Sequence, residues 1–283
     1  MQLTRAAYRG GCQDGSVRIH VLQVAYGDDE PVAERVDRVA ALVGEQAGAD
    51  LVVLPELWAA GGFSYRLWAD RAEPVAGPTM TAIAAAARRI GAVVHAGSIV
   101  EAAAPGADRG PQGRGRWNTS VLIGPGGAVL ATYRKIHRFG FGEGEPQLIE
   151  AGDAIVTATL PDGTVAGLAT CYDLRFPELF RRLLDAGARL VVVPAAWPVP
   201  RVDAWQLLGR ARAVEDQVIV VQCNTAGTHA GVTMGGRSQV VLASGEVVAE
   251  AGDGEEVLVV DVDPAEVDAL RSRFPVLADR VLV

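Results

Sequence analysis

Residues 47–58 read AGADLVVLPELW, and residues 186–197 read AGARLVVVPAAW. Both stretches combine the end of a helix, a short apolar strand, a proline and a tryptophan. A weaker repeat relates residues 120–133, SVLIGPGGAVLATY, to residues 238–251, SQVVLASGEVVAEA, and each is typical of two strands around a glycine turn. The repeats therefore predict two related halves.

The rest of the chain alternates short runs of Val, Ile and Leu with helical stretches, which indicates an α/β fold. Strands are predicted at residues 17–25, 50–54, 92–99, 118–123, 128–133, 164–170, 190–193, 217–223, 238–242 and 246–249. Helices are predicted at residues 31–47, 79–91, 177–186 and 202–216. Two such halves stacked sheet on sheet give a four-layer αββα sandwich, so we expect residues 17–283 to form a single domain with pseudo-symmetric halves.

Composition excludes several classes of protein. The 283 residues are 49% hydrophobic, carry a net charge of -8 and contain no run of basic residues, which argues against a nucleic-acid partner. Residues 1–16 are polar and lack an apolar segment, so we expect a loose tail rather than a signal peptide or membrane anchor. Three cysteines provide no disulfide framework, and the four histidines have no metal-ligand spacing. We expect a cytoplasmic protein that holds no metal.

One position breaks the repeat in an informative way. Glu56 follows the proline of the first stretch, whereas Ala195 stands at that place in the second. Ligands bind outside the carboxyl ends of strands in α/β proteins, so Glu56 is a candidate for acid or base chemistry. Its alternatives are an ion pair with a buried arginine or a cap on the next turn. Lys135, in the stretch YRKIH at the end of a predicted hairpin, is a weaker candidate by itself.

Cys171 lies between an apolar run, VAGLAT, and the helix start at Pro177. This strand, turn and helix resemble a nucleophile elbow, although the Gly-x-Ser-x-Gly sequence is absent. A nearby helix start and a neighbouring cation are expected to lower the pKa of the thiol. Cys12 and Cys223 lack this setting and are interpreted as non-catalytic. A dyad of Cys171 with His137 or His229 remains open at this point.

Together, the stretches LPEL with Glu56, YRKIH with Lys135 and CYDLRFPEL with Cys171 resemble the motifs of the carbon-nitrogen hydrolase family, also called the nitrilase superfamily. The resemblance covers nearly all of the chain after residue 16. It implies the αββα fold, a Glu56-Lys135-Cys171 triad, no cofactor, and a homodimer or higher homo-oligomer. It also implies a second glutamate after the lysine motif, which we assign to Glu145 rather than to Glu143.

The resemblance further implies a mechanism. Glu56 acts as general base, Cys171 forms a thioester, and Lys135 with the backbone N–H of Tyr172 stabilises the oxyanion. The substrate is expected to be a small primary amide, with Trp58, Phe63, Tyr172 and Trp197 as candidate walls of the site. Arg175 is a candidate ligand for the distal carboxylate of a dicarboxylic monoamide. The alternative for Arg175 is an ion pair with Glu178 or Asp173.

Two other functions remain possible from the sequence. A nitrilase or an N-carbamoyl amino acid hydrolase uses the same triad and differs only in substrate. A binding or assembly protein of the same fold without turnover is an alternative of another class, and the intact triad argues against it.

Overall fold

The computed structural model describes residues 15–282, so the predicted tail lies almost entirely outside the described residues, as does Cys12. The described strands are β1 Val17–Gln23, β2 Leu51–Val53, β3 Val93–Ala102, β4 Arg116–Ile123, β5 Val129–Arg134, β6 Val156–Thr159, β7 Val165–Leu168, β8 Leu190–Pro194, β9 Ile219–Cys223, β10 Thr228–His229, β11 Val232–Thr233, β12 Gln239–Val241, β13 Val247–Glu250 and β14 Glu256–Val262. The helices are α1 Val32–Gly44, α2 Pro78–Ile90, α3 Glu145–Leu148, α4 Pro177–Asp185, α5 Val202–Asp216 and α6 Ala265–Arg273.

The main strands form two six-stranded sheets with the same plan. Their orders are β14-β1-β2-β3-β4-β5 and β13-β12-β9-β8-β7-β6. Three parallel strands form the centre of each sheet, β1-β2-β3 in the first and β7-β8-β9 in the second, and antiparallel strands flank them. The two halves predicted from the repeats are therefore confirmed by matching strand order and direction.

The repeated stretches supply the central strand of each sheet, and their alternating side chains build the layers. In β2, Leu51 and Val53 pack between the sheets, whereas Val52 packs under the helices α1 and α2. In β8, Leu190 and Val192 pack between the sheets, and Val191 packs under α4 and α5. Successive side chains of a strand point to opposite faces, so each apolar run covers two cores at once. The result is the predicted four-layer αββα sandwich.

The predicted elements agree with the structure where the apolar runs are long. The helices expected at 177–186 and 202–216 are observed as α4 and α5, and that expected at 79–91 is α2. Six of these helices and strands were not predicted, namely β6, β10, β11, β14, α3 and α6. The strand β14 is the largest omission because it pairs along the whole of β1 and closes one edge of the first sheet.

Candidate active site

Glu56 lies just beyond the carboxyl end of β2 and is 3% exposed. Its Oε1 accepts hydrogen bonds from Lys135 Nζ at 2.8 Å and from Asn118 Nδ2 at 2.8 Å. Its Oε2 accepts a hydrogen bond from the backbone N–H of Ala196 at 2.9 Å. Both carboxylate oxygens are thus held by donors that belong to different elements, which fixes the carboxylate in one orientation.

Lys135 follows the end of β5 and is buried. Its Nζ lies 2.8 Å from Glu56 Oε1 and 3.0 Å from Glu145 Oε1. Burial by itself lowers the pKa of an ammonium, but Glu145, Glu56 and Cys171 outweigh it and raise the pKa of Lys135 well above its ordinary value. Lys135 therefore remains a cation in the closed site.

The structure places Glu145, and not Glu143, at Lys135. Glu145 is the first residue of α3 and is buried, whereas Glu143 is exposed in the preceding loop. One Glu145 oxygen accepts from Lys135 and Asn118, and the other accepts from the backbone N–H of Phe139. Burial raises the pKa of the Glu145 carboxyl, and the charge on Lys135 opposes that rise.

Cys171 stands on a sharp turn three residues after the end of β7. Its backbone φ is +51°, a left-handed conformation that is strained for a residue with a side chain. The turn is fixed by Asp173, whose carboxylate accepts from the backbone N–H of Thr170 at 2.9 Å and from Tyr133 Oη at 2.7 Å. The elbow predicted from the sequence is present in the structure.

The expected lowering of the thiol pKa is wrong. Burial, and next the negative charge of Glu56, raise the pKa of Cys171 well above its ordinary value, and Lys135 opposes them only in part. A direct side-chain interaction with the Glu56 carboxylate raises the pKa of the Cys171 thiol further. A raised pKa favours the neutral form of the Cys171 thiol, which lies beside the Glu56 carboxylate.

The two histidines considered as partners of Cys171 are engaged elsewhere. His137 Nδ1 lies 2.7 Å from Asp173 Oδ1, and its ring stacks on Phe176 with centroids 3.8 Å apart. His229 Nε2 accepts a hydrogen bond from the backbone N–H of Phe63 at 3.2 Å. Burial lowers the pKa of His229 to about 4, so it is neutral near pH 7. Within residues 15–282 neither ring is bonded to the thiol.

A small cavity opens onto Cys171. It is lined by Phe63, Phe139, Cys171, Tyr172, Arg175, Ala196, Trp197, Pro198 and Arg201. Its volume of about 20 Å³ is room for roughly one water molecule, but Phe63, Phe139, Pro198 and Arg201 also line an adjoining cavity of about 720 Å³. A separate cavity of about 370 Å³ lies between β14 and α6, and its lining contains no cysteine, lysine or histidine.

Three of the four aromatic wall residues expected from the sequence, Phe63, Tyr172 and Trp197, line this cavity. Trp58 does not. Its side chain is fully buried in the core under α1 and α2, and its indole N–H donates to the carbonyl of Ala96 at 2.9 Å. Trp58 is therefore corrected to a core residue.

Arg175 also lines the cavity, and its guanidinium lies over the Trp197 ring at 5.0 Å from the centroid. The ion pair considered for it is not observed. Asp173 is taken by Tyr133, Thr170 and His137, and within residues 15–282 no carboxylate is paired with Arg175. The guanidinium thus retains its donors for a ligand.

Sequence reasoning missed four contributors to the site. Asn118 bridges the two glutamates with its Nδ2, and the backbone N–H of Ala196 holds Glu56. Phe139 and Arg201 contribute to the cavity wall. A polar residue at the start of an otherwise apolar run was the available sign for Asn118, but no motif singled out the other three.

Two further properties concern the part of the chain that the structure describes. No group of three or more His, Cys, Asp or Glu side chains is arranged to hold a metal ion there. No helix in that part is long and apolar enough to cross a membrane.

A cysteine on a strained turn, a lysine and two glutamates at the strand ends of an αββα sandwich define a class of hydrolases that act on carbon–nitrogen bonds. Residues 5–272 match the carbon-nitrogen hydrolase family model, and the chain belongs to this family. The predicted family, fold and amide-hydrolysing activity are confirmed at this level.

Similar proteins agree with this assignment. A 2-oxoglutaramate amidase of Paenarthrobacter nicotinovorans is 44% identical over 94% of this chain and 90% of its own length. An omega-amidase of Homo sapiens is 32% identical over 88% of this chain and 90% of its own length. The crystal structure of a CN-hydrolase superfamily protein from Xanthomonas campestris superposes on this chain with a TM-score of 0.84 at 30% sequence identity. The match covers 95% of this chain and 98% of the Xanthomonas chain.

Proposed function

We propose that this amidase hydrolyses the terminal amide of a short dicarboxylic monoamide, with Cys171 as nucleophile. The observation that carries the proposal is the unpaired guanidinium of Arg175 in the same cavity as the thiol. Arg175 is exposed, and a guanidinium at a cavity wall that lacks a carboxylate partner is able to bind a carboxylate of a ligand. The names of similar proteins, 2-oxoglutaramate amidase and omega-amidase, support the same class of substrate.

The reaction begins with the neutral Cys171 thiol. As sulfur attacks the amide carbon, its proton passes to Glu56, whose carboxylate interacts with the thiol. The carbonyl oxygen becomes an oxyanion. Lys135 Nζ and the backbone N–H of Tyr172, which lies in the first turn after Cys171 where N–H groups have no helical partner, would stabilise it.

Collapse of the tetrahedral intermediate breaks the carbon–nitrogen bond. Glu56 returns the proton to the leaving nitrogen, ammonia departs and a thioester remains on Cys171. Glu56 then takes a proton from water as the water attacks the thioester. The acid leaves, and the proton returns to the thiol.

Glu145 and Asn118 are positioning residues in this scheme. Glu145 keeps Lys135 charged and holds its ammonium, and Asn118 ties both carboxylates together through hydrogen bonds of 2.8 and 2.9 Å. Because the carboxylates are held before substrate binds, little reorganisation is needed during the reaction.

We further propose that residues 17–283 form one domain, that the protein is cytoplasmic and that it is a homodimer or higher homo-oligomer. Side chains of both sheets meet in one shared core, which supports the single domain. Exposed apolar side chains at Leu207 and Phe274 support an interface between copies. Light scattering of the purified protein tests the oligomeric state, and a monomer at micromolar concentration would rule out the assembly.

The substrate proposal is tested by release of ammonia from glutaramate, propionamide, a nitrile and an N-carbamoyl amino acid. We expect glutaramate to have the highest kcat/KM of these four. Arg175→Gln is expected to lower kcat/KM for glutaramate by about 10- to 100-fold relative to propionamide, because one charge-assisted contact is lost. Arg182→Gln, on the exposed side of α4, is the matched control. A preference for the nitrile or the carbamoyl compound would overturn the substrate class.

A further inference from the structure

His229 is a buried histidine that the proposed reaction does not use. It ends the short strand β10, whose hairpin with β11 lies late in the chain but contacts loops of the first half. Before it, the backbone N–H of Ala226 donates to the carbonyl of Val24 at 2.9 Å. After it, the backbone N–H of Ala230 donates to both carboxylate oxygens of Asp28, at 3.1 and 2.8 Å. The chain on either side of His229 is thus fixed to the first half.

The loop that brings Phe63 to the Cys171 cavity is held by side chains of other segments. The backbone N–H of Phe63 donates to His229 Nε2 at 3.2 Å. The backbone N–H of Gly62 donates to Tyr26 Oη at 3.2 Å, and this hydroxyl lies 3.4 Å from His229 Nε2. The two rings are in contact, with centroids 4.5 Å apart. Two consecutive N–H groups of the loop are therefore held by one pair of side chains, Tyr26 and His229.

The same loop packs closely against the turn that holds Glu56. A Cβ at Gly62 would lie 2.5 Å from the Cβ of Ala196, so only a glycine fits there. The backbone N–H of Ala196 donates to Glu56 Oε2 at 2.9 Å. The next side chain along the loop, Phe63, lines the cavity together with Cys171 and Ala196. A shift of the loop would therefore move one wall of the cavity relative to the thiol.

The protonation state of His229 points to the same role. Burial lowers its pKa to about 4, so the ring is neutral near pH 7. Because Nε2 accepts the Phe63 N–H, the single ring proton lies on Nδ1. Nδ1 is buried and has no hydrogen-bond partner within residues 15–282. A buried donor without a partner costs stability, and an apolar side chain would avoid that cost. The contribution of this histidine is therefore the acceptor at Nε2.

We propose that His229 is a positioning residue that holds Phe63 at the cavity, by accepting the backbone N–H of Phe63, before the substrate binds. The inference rests on the proposed function, in which Cys171 in this cavity is the nucleophile. The contact is made to the backbone of the loop, so it affects neutral and anionic amides alike and does not select between them. A wall that is fixed in advance avoids the free-energy cost of ordering it on binding.

The test is the effect of His229→Leu on hydrolysis of propionamide and glutaramate by the full-length protein. Leucine is an apolar residue that cannot accept the Phe63 N–H. We expect KM to rise about 10-fold for both amides while kcat stays within about threefold. Partial unfolding of the variant would lower the amount of active enzyme, and hence the apparent kcat, but would not change KM. A KM that rises for only one of the two amides, or for neither, would overturn the proposal.

His229→Gln separates the acceptor from the packing of the ring, because the Gln amide oxygen can take the place of Nε2. We expect this variant to keep KM within about threefold of the unaltered protein. Thr228→Ala, at the exposed neighbouring position of β10, is the matched control and should leave KM and kcat unchanged. If the Gln and Leu variants have the same raised KM, the acceptor is not what matters and the proposal is contradicted.

A second background tests whether His229 acts through Phe63. Phe63→Ala removes the wall itself, so adding His229→Leu to it should have little further effect on KM. An equal rise in KM on adding His229→Leu to the unaltered protein and to Phe63→Ala would show that His229 acts elsewhere, and the inference fails. Failure of the proposed function is a separate result, namely turnover that persists in Cys171→Ala.

Discussion

The two halves of the molecule meet at equivalent turns, where one contributes a side chain and the other a backbone. Glu56 follows β2 in the first half, and Ala195 follows β8 at the matching place of the repeat. The backbone N–H of Glu56 donates to the carbonyl of Ala195 at 3.4 Å, and the N–H of Ala196 donates to Glu56 Oε2 at 2.9 Å. The second turn thus holds the carboxylate that the first turn provides.

At the position of Cys171 the second half provides the reactive side chain, and the first half has an apolar residue at the equivalent place. Sheet register pairs Ile19 with Leu51 in the first half and Ala166 with Leu190 in the second. Ile19 and Ala166 are therefore equivalent. Five positions after Ile19 stands Val24, and five positions after Ala166 stands Cys171. Val24 is buried in the core, whereas Cys171 faces the cavity. Each half therefore contributes a group that the other lacks.

The largest effect is expected when the first half loses its distinguishing carboxylate. Glu56→Gln keeps the shape of the side chain but removes the base that takes the Cys171 proton. We expect kcat/KM for glutaramate to fall by roughly 100- to 10,000-fold. Steady-state release of ammonia measures this effect, and near-UV circular dichroism controls for the fold. Activity within a few fold of the unaltered protein would show that another group is the base.

The second change gives the second half the glutamate that the first half has at the equivalent position. Ala195→Glu places a carboxylate at a fully buried position beside Glu56, where like charges repel and the core has no room for the side chain. We expect a loss of roughly 3 to 5 kcal/mol in the free energy of unfolding and a large loss of activity. Urea unfolding measures the change, with Ala195→Ser as the smaller polar control. An unaltered midpoint would mean that the two turns do not pack as described.

A smaller effect is expected at Asn118, which joins the carboxylate from the first turn to Glu145. Asn118→Ala removes the donor shared by both carboxylates, and we expect kcat to fall by about 10- to 100-fold. Asn118→Asp is expected to be worse, since it adds a third carboxylate. The pH profile of kcat separates positioning from simple loss of packing. Equal activities of the Ala and Asp variants would contradict the electrostatic role.

The smallest expected effect on activity concerns β3, where register aligns His95 of the first half with Val221 of the second. Both His95 ring nitrogens lack partners within residues 15–282, and burial lowers the pKa of His95 to about 4. Unfolding releases this histidine to bind a proton at its ordinary pKa of 6.5. Stability present above pH 6.5 is therefore lost as the pH falls towards 4.

His95→Val copies the second half into the first and removes this contribution. We expect the free energy of unfolding to decrease less between pH 7 and pH 4 in the variant, by up to about 3 kcal/mol, with activity near pH 7 nearly unchanged. Urea titrations at several pH values measure the difference. His229, whose pKa is also lowered to about 4, is present in both proteins, so its contribution to the pH dependence cancels in the comparison. Parallel pH dependences would exclude His95 as a source of acid sensitivity.

Much of the fold could be predicted because β2 and β8 carry long apolar runs within repeated stretches. The elements β6 and α3 could not be found in this way, because VTAT and EPQL are too short and too polar to show periodicity. The triad residues were predicted by their motifs, whereas Asn118 acts only because β4 brings it to the end of β5.

The errors arise from contacts between the halves and from burial. The helix start after Cys171 and the separate lysine motif are visible in the sequence, but the burial and the Glu56 charge that raise the pKa of Cys171 are not. Trp58 and Trp197 are equivalent in the repeat, yet only Trp197 reaches the cavity, since the Trp58 indole is directed to the carbonyl of Ala96. Repetition predicts the position of a side chain along a strand but not the environment that each half gives it.

The central claim is that Cys171 carries the acyl group of the substrate. Acid-quenched enzyme that is turning over glutaramate can be measured by intact-protein and peptide mass spectrometry. We predict an adduct with the mass of glutaramate less ammonia, located on Cys171, and no adduct in Cys171→Ala, which is also expected to lose turnover. An adduct on Cys223, or turnover that persists in Cys171→Ala, would contradict the account.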